Sequence, residues 1–218
     1  MFVPMGRSLE PSCPQTPSPR AWPATVARHN LIASGRRFRL RPLALEDAEF
    51  VVQLRRDPKL SRYIHPVSPM ASDQRAWTQA YFLCEDEYCF VVEDTVTGAR
   101  EGTIALYHVD TVMGQAEMGR WVLRPGSLAA PESALLVYKL GFEVFGLRRV
   151  YNRTLRDNEH VVSFHRSCGL IEAGPAPSVV LDGVAHDAVE QYVTAEIWPD
   201  VMSALNRSVI AATRLLGM

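Results

Sequence analysis

The sequence lacks any long apolar run and any excess of one charge. No stretch reaches the roughly 20 apolar residues that a membrane-spanning helix needs, which predicts a soluble protein without a membrane partner. The 23 Lys and Arg residues are balanced by 24 Asp and Glu residues, so the net charge is −1, and no basic run is present. Nucleic acid is therefore not expected as a partner.

Cysteine is also scarce, with four residues at Cys13, Cys84, Cys89 and Cys168. Their spacing is not that of a zinc site, so no metal is predicted. The N-terminus has no apolar segment of the kind found in secretory signals. Together these features predict reduced thiols and a cytoplasmic location.

Proline is concentrated in the first 35 residues, which show little apolar periodicity. Such a segment buries too little apolar surface to offset its ordering entropy. We expect residues 1–35 to be disordered and residues 36–196 to form one domain. Residues 197–218 are predicted to form an amphipathic C-terminal helix, which either packs on the domain or meets a second subunit in a homodimer.

The domain alternates between strand and helix patterns. Period-two alternation and turn signals predict strands over 38–43, 88–93, 102–109, 116–123, 149–154, 171–174 and 188–195, with a turn at 181–183. Helical periodicity and capping residues predict helices over 45–56, 72–81, 132–145 and 157–168.

A short glycine-containing turn, Arg124–Pro131, joins a predicted strand to a predicted helix. Such a turn leaves backbone N–H groups unpaired at the positive end of the helix dipole, where they can bind a pyrophosphate. Gly126 permits the tight turn, Ser127 adds a hydroxyl donor, and Arg124 adds a positive charge. Taken alone the pattern is weak, because most short glycine turns before helices are only turns.

Two motifs in the chain resemble those of the GNAT acyl-CoA-dependent N-acetyltransferases. The turn Arg124-Pro-Gly-Ser-Leu-Ala129 resembles a degraded copy of that superfamily's Gln/Arg-x-x-Gly-x-Gly/Ala turn. The run from Asn158 to Leu170 is similar in spacing to the Asn-x-x-Ala/Ser-x-x-Leu-Tyr-x-x-x-Gly-Phe signature. The resemblance covers about Arg37 to Glu196. Its opening strand and helix resemble the branch that includes ribosomal-protein N-terminal, polyamine and amino-sugar acetyltransferases.

The resemblance implies an α/β GNAT fold with a mixed, mostly antiparallel central sheet flanked by helices, here with an extra C-terminal helix. It implies acetyl-CoA as co-substrate and direct transfer of the acetyl group to a primary amine of a small molecule or a protein N-terminus. It also implies the residues that contact CoA. These are Val122 and Arg124 through backbone groups, the turn residues Gly126, Ser127, Leu128, Ala129 and Ala130, and Asn158 on the pantetheine arm or as a helix cap.

Acetyl transfer requires an uncharged amine and a proton for the departing thiolate. Because a free amine has a pKa of roughly 10, a carboxylate or histidine must take its proton. The resemblance puts Glu117 where the family often has an acidic residue that faces the acceptor. It puts His165, which titrates near neutrality, where the family most often has a tyrosine that protonates the sulfur. The alternatives are a solvated strand carboxylate for Glu117 and a surface or core histidine for His165.

In the branch of the superfamily that the opening segment resembles, the first helices and their connection build the acceptor pocket. The residues in those segments that we expect to contact the acceptor are Tyr63, His65 and Trp77, together with Arg55. His108 and Asp110, at the end of the strand before that of Glu117, could also bind the acceptor or take its proton. Trp77 could instead belong to the core.

Some residues depart from the family pattern. Ser127 and Ala129 replace the usual glycines, and Pro131 removes a helix N–H. Two alternatives therefore stay open: a GNAT-fold protein that binds acyl-CoA without catalysis, and an enzyme that uses a longer acyl-CoA.

Overall fold

The computed structural model describes residues 27–181 and 183–217. The strands are β1 (Ala33–Ser34), β2 (Phe38–Pro42), β3 (Tyr88–Asp94), β4 (Arg100–Asp110), β5 (Gln115–Leu123), β6 (Arg149–Leu155), β7 (Ile171–Pro175), β8 (Val179–Leu181), β9 (Val184–His186) and β10 (Ala188–Thr194). The helices are α1 (Ala48–Arg55), α2 (Ala71–Tyr81), α3 (Ala130–Lys139), α4 (Glu159–Ser167) and α5 (Trp198–Leu215). A π-helical turn, Leu140–Val144, extends α3.

Eight strands form one sheet in the order β1-β2-β3-β4-β5-β6-β10-β7, and β8 and β9 form a separate hairpin. All the pairings in the large sheet are antiparallel except that of β5 with β6. The predicted mixed, mostly antiparallel α/β fold is therefore confirmed.

Each face of the sheet has its own hydrophobic core. Along β3, Phe90 and Val92 belong to a core cluster that includes residues of α3 and α5. Cys89 and Val91, at the alternate positions, belong to a second cluster that includes residues of α1 and α2. This division follows from the period of two along a strand, and it makes β3 an almost continuously apolar central strand.

Strands β5 and β6 separate soon after they meet. Their parallel ladder joins only Gln115–Glu117 to Arg149–Tyr151, although β5 continues to Leu123 and β6 to Leu155. On its other side β5 has a register shift against β4, and Arg120 within it has φ +48°. A bulge of this kind bends a strand and increases its twist. A gap therefore opens between β5 and β6 beyond Glu117.

Several of the predicted boundaries can be compared with the structure. Ala27 bridges to Ala44 and β1 pairs with β2, so the predicted start of the domain at residue 36 is too late. The rest of the predicted tail lies outside the described residues. Helix α5 buries Val201, Leu205 and Val209 in the core cluster it shares with α3. The homodimer stays a prediction.

The predicted turn at 181–183 lies between β8 and β9, a hairpin that the sequence did not predict. Cys89 and Cys168 are free thiols, and both are buried. Within the described parts of the chain, no helix combines the length and apolar character needed to cross a membrane.

Candidate active site

The turn between β5 and α3 presents unpaired backbone N–H groups. Gly126 has φ +80°, which glycine adopts without strain, and the Ser127 amide donates to the Arg124 carbonyl at 3.0 Å. Across residues 27–181 and 183–217, the amides of Gly126, Leu128 and Ala130 find no hydrogen-bond acceptor. With the N-terminus of α3 they form an arrangement suited to a phosphate anion.

Ser127 alters this turn in a way that the sequence did not predict. Its Oγ accepts a hydrogen bond from the Ala129 amide at 3.2 Å. The Ala129 N–H is therefore occupied, while the Ser127 hydroxyl proton stays available as a donor. The turn is open, but one of its expected amides is satisfied within the turn.

Glu132, in the first turn of α3, holds the β1–β2 turn against the phosphate turn. The side chain is 2% exposed, and its carboxylate accepts hydrogen bonds from the backbone amides of Arg36, Arg37 and Phe38, the last two at 3.2 Å. The turn approaches so closely that a Cβ on Gly35 would overlap the carboxylate. Sequence reasoning missed this contact, whose only sequence signal is a carboxylate near a helix start.

The backbone groups that face the gap differ from those expected. The Arg124 amide donates to the Glu101 carbonyl on β4 at 2.8 Å, so it is not available to a ligand. Val122 lies two residues earlier and is paired with Thr103. Because the backbone N–H and C=O groups of successive residues alternate between the two sides of a strand, those of Val122 also face β4. The expectation that the backbone groups of Val122 and Arg124 contact CoA is therefore wrong. The backbone N–H and C=O of Leu123 face the gap instead. The bulge in β5 sets this register.

Glu117 lies where β5 and β6 separate. It is 2% exposed and is the last β5 residue paired with β6, opposite Tyr151. The Tyr107 hydroxyl donates to its Oε1 at 2.9 Å, and the Arg153 guanidinium lies 3.4 Å from its Oε2. Loss of solvent around the buried carboxylate raises its pKa, against the opposing effect of Arg153. Glu117 is thus a fixed carboxylate that is more basic than usual, and not a solvated one.

His165, on α4, is 1% exposed and its ring centroid lies 5.5 Å from that of Trp121. Burial lowers its pKa to about 3, and among the described residues its Nδ1 has no hydrogen-bond partner. The expectation that His165 titrates near neutrality is therefore wrong, because no carboxylate compensates for its loss of solvent. At neutral pH its imidazole is uncharged.

Asn158 precedes α4, and its side chain makes no capping hydrogen bond. Its carbonyl instead accepts the amides of Val161 and Val162, both at 3.1 Å. Asn158 lines the same cavity as His165, and its side chain does not take the helix-capping role that was the alternative to contact with CoA.

One cavity of about 1610 Å³ brings the candidate residues together. It is lined by both catalytic candidates, Glu117 and His165, and by all four of the predicted acceptor-side residues, Tyr63, His65, Trp77 and His108. Residues of the β8–β9 hairpin and the segment before it close one side. The phosphate turn is not part of its lining.

Aromatic rings and a buried ion pair shape the acceptor side. Trp77 stacks on Tyr81 with 5.9 Å between ring centroids, and the Arg120 guanidinium lies 5.3 Å from the Trp77 ring and 4.6 Å from the Tyr107 ring. Arg120 pairs with the fully buried Glu87 at 2.7 Å. Sequence reasoning missed Arg120, Tyr107 and Glu87. Tyr107 and Arg120 lie on the neighbouring strands β4 and β5 and Glu87 just before β3, and no motif in the sequence marked them as part of a site.

His108 and Asp110 have local partners. His108 has φ +53°, and its Nδ1 lies 3.7 Å from the Asp86 carboxylate. Asp110 accepts the amides of Val112 and Met113 in its own turn, at 2.9 and 2.8 Å. Both line the cavity, but the carboxylate of Asp110 is already engaged, which makes it a weaker base candidate than Glu117.

Residues 37–171 match the family described as "Acetyltransferase (GNAT) domain". The chain belongs to this family. The match spans the phosphate turn, the gap between β5 and β6 and α4, so the GNAT assignment covers the elements that build the site. It does not distinguish among the branches that the sequence suggested.

Solved GNAT structures share this fold. An apo structure of FdhC, a nucleotide-linked sugar GNAT, is 25% identical with a TM-score of 0.70, covering 83% of this chain and 99% of its own. A GCN5-related N-acetyltransferase from Brucella melitensis is 22% identical with a TM-score of 0.72, covering 85% and 88%. Spermidine N-acetyltransferase from Vibrio cholerae, in complex with CoA and spermine, is 20% identical with a TM-score of 0.67, covering 75% and 98%. Comparison with curated protein sequences gave no match.

In the part of the chain that the structure describes, no group of three or more His, Cys, Asp or Glu side chains could hold a metal ion. The expectation that no metal takes part stays a prediction.

Proposed function

We propose that this GNAT domain transfers an acetyl group from acetyl-CoA to a primary amine, by direct attack of the amine on the thioester. The observation that carries the proposal is the position of Glu117. A buried carboxylate of raised basicity lies where β5 and β6 part, inside a cavity shared with aromatic and polar side chains.

Acetyl-CoA fits the residues that border this site. The unpaired amides of Gly126, Leu128 and Ala130 can donate to its pyrophosphate, helped by the Ser127 hydroxyl and the exposed, positively charged Arg124. The peptide of Leu123, which faces the gap, and the carboxamide of Asn158 can hydrogen-bond the amides of the pantetheine arm. The thioester supplies the activated acetyl group.

Glu117 acts as the general base in this proposal. An amine of pKa roughly 10 is mostly protonated at neutral pH and must lose a proton before or during attack. The raised pKa of Glu117 brings its basicity closer to that task, since a carboxylate near its ordinary pKa is a weak base. Tyr107 and Arg153 hold the carboxylate in one orientation, and a water can relay the proton.

His165 has a narrower role in the proposal than the sequence suggested. A neutral imidazole can donate a hydrogen bond to the departing sulfur, but it is a poor proton source at neutral pH. We propose that His165 orients or hydrogen-bonds the thioester region and that the sulfur takes its proton from solvent or from the ammonium formed on attack.

The acceptor, the oligomeric state and the location stay proposals. The acceptor is a primary amine of a small molecule or of a protein N-terminus, and one structural neighbour carries spermine beside CoA. The homodimer and the cytoplasmic location rest on the sequence alone.

An amine library assayed with acetyl-CoA, with free thiol release as the readout, tests the proposal. Thiol release that depends on an amine and is lost in Glu117→Gln supports acetyl transfer. Binding of acetyl-CoA by calorimetry without any thiol release would instead support the non-catalytic alternative. The occupied Ala129 amide favours that alternative by reducing the donors in the turn.

A further inference from the structure

Arg55, in the last turn of α1, has a charge that no carboxylate balances. Its Nη2 donates to the His65 carbonyl at 3.0 Å, and its Nε is buried with no hydrogen-bond partner. Within residues 27–181 and 183–217, no carboxylate forms an ion pair with it. Its Nη1 makes no hydrogen bond either, yet it is not sealed from solvent as Nε is, and the residue lines the cavity.

Arg120, in contrast to Arg55, has a carboxylate partner. Arg120 lines the same cavity and directs Nη1 and Nη2 at Glu87, at 2.7 and 3.3 Å. Burial and the positive charge of Arg120 both lower the pKa of Arg55, but an arginine stays protonated in proteins. Arg120 and Arg153, the other arginines that line the cavity, each form an ion pair with a carboxylate, and Arg55 does not.

The acidic side chains of the cavity are occupied elsewhere. Asp73 accepts from the Ser68 hydroxyl at 2.5 Å, and Asp86 lies beside His108. Asp110 is bound to the amides of its own turn, and Glu117 to Tyr107 and Arg153. None of them forms an ion pair with Arg55, so its guanidinium is left for whatever enters the cavity.

We infer that the amine acceptor carries an anionic oxygen group, a carboxylate or a phosphate, that binds to Arg55. The inference rests on the proposed function for the identity of the acceptor, but Arg55 itself takes no part in the proton transfer. A buried guanidinium without a counter-ion is unfavourable, and an anionic ligand in the cavity supplies the missing partner. Nη1, which is not sealed from solvent, can donate a charge-assisted hydrogen bond to a carboxylate or a phosphate oxygen.

Matched pairs of amines test this inference in the intact protein with CoA present. Phosphoethanolamine is compared with ethanolamine, and ε-aminocaproate with its neutral amide, by titration calorimetry. We expect at least one anionic amine to bind about tenfold or more tightly than its neutral counterpart. The pair with the larger ratio tells phosphate from carboxylate.

Variants then assign the preference to Arg55. In Arg55→Gln the ratio should fall to within about twofold of unity, since the charge-assisted hydrogen bonds are lost, whereas Arg55→Lys should keep part of it. Arg56→Gln changes the exposed neighbouring arginine and should leave the ratio unchanged. Thermal unfolding of each variant confirms that the fold is retained.

Each outcome decides the inference. The inference is overturned if charged and neutral amines bind equally or if neither binds. It is also overturned if the ratio survives in Arg55→Gln, or if the polycation spermidine binds most tightly. Thiol release from acetyl-CoA is measured separately with the same amines. If the binding ratio depends on Arg55 and no thiol is released, the inference stands and the proposed acetyl transfer fails.

Discussion

Replacing Glu117 with Gln should abolish most of the turnover and remove one limb of the pH profile. General base catalysis contributes typically 10²–10⁴-fold to a rate, so we expect kcat to fall by about 10²-fold or more. The wild-type kcat/KM should decline as the pH falls through the raised pKa of Glu117, because the protonated carboxyl cannot accept the proton of the amine. Glutamine has no such titration, so that decline should vanish.

The same substitution separates the catalytic role of Glu117 from a structural one. Because the folded-state pKa of Glu117 is raised, the protonated form is favoured by folding, and that stabilisation is lost as the pH rises through the folded-state pKa. The ionised carboxylate is therefore unfavourable for stability at neutral pH, and Glu117→Gln should unfold at a temperature no lower than the wild type. If Glu117 had only a structural role, the Glu117→Gln variant would lose stability and activity together.

A matched control exists on β10. Glu190 shares Arg153 with Glu117, accepting from its Nε at 3.1 Å, but does not line the cavity. Glu190→Gln should change kcat by less than about threefold, since rates follow groups that touch the reacting atoms. Steady-state assays from pH 5 to 9 on both variants decide the matter: a Glu117→Gln enzyme with near-normal kcat and an unchanged profile would refute the assignment of Glu117 as base.

Three further predictions concern Gly126 in the phosphate turn, His165 on α4 and Glu132 in the first turn of α3. Gly126→Ala puts a side chain at φ +80°, which costs about 1 kcal/mol, and should raise the KM for acetyl-CoA with little effect on kcat; an unchanged KM would count against the phosphate turn. His165→Phe should keep most of the turnover. The buried neutral histidine, with a pKa lowered to about 3, stabilises the fold above its unfolded pKa near 6.5, and this contribution is lost as the pH falls towards 3. The variant should therefore lose less stability than the wild type between pH 6.5 and 4, as thermal unfolding at several pH values can show. Glu132→Ala leaves the amides of Arg36, Arg37 and Phe38 without their acceptor and should destabilise the protein by roughly 2–3 kcal/mol in denaturant unfolding; a loss below about 0.5 kcal/mol would mean that water replaces the carboxylate.

The sequence predicted those parts of the fold that depend on neighbouring residues. Helix α4 and its motif from Asn158 to Leu170 are local patterns, and so is the alternation that marks β5 up to Leu123. The position of Glu117 on β5 follows from the same local pattern. Local periodicity is a strong signal because it is repeated over several residues.

What the sequence did not predict depends on distant partners or on register. Glu132 meets residues that are 94 to 96 positions away, and Arg120 pairs with Glu87 at a separation of 33. The bulge in β5 reverses which peptide faces the gap, so Leu123 takes the place expected for Val122 and Arg124, because a shift of one residue exchanges the two sides of a strand. The pKa of His165 depends on surroundings that no spacing reveals.

The brief contact between β5 and β6 has a consequence beyond the site itself. Three residue pairs hold the two halves of the sheet together, so the opening between them is controlled mainly by packing on the α3 side. Gly141 packs closely there, since a methyl group on it would lie 2.9 Å from Val150 on β6. Bulk added at this position acts as a wedge behind the sheet. Adaptation of the protein to a thicker or thinner acyl donor can therefore begin in the hydrophobic core, at residues that never meet the ligand.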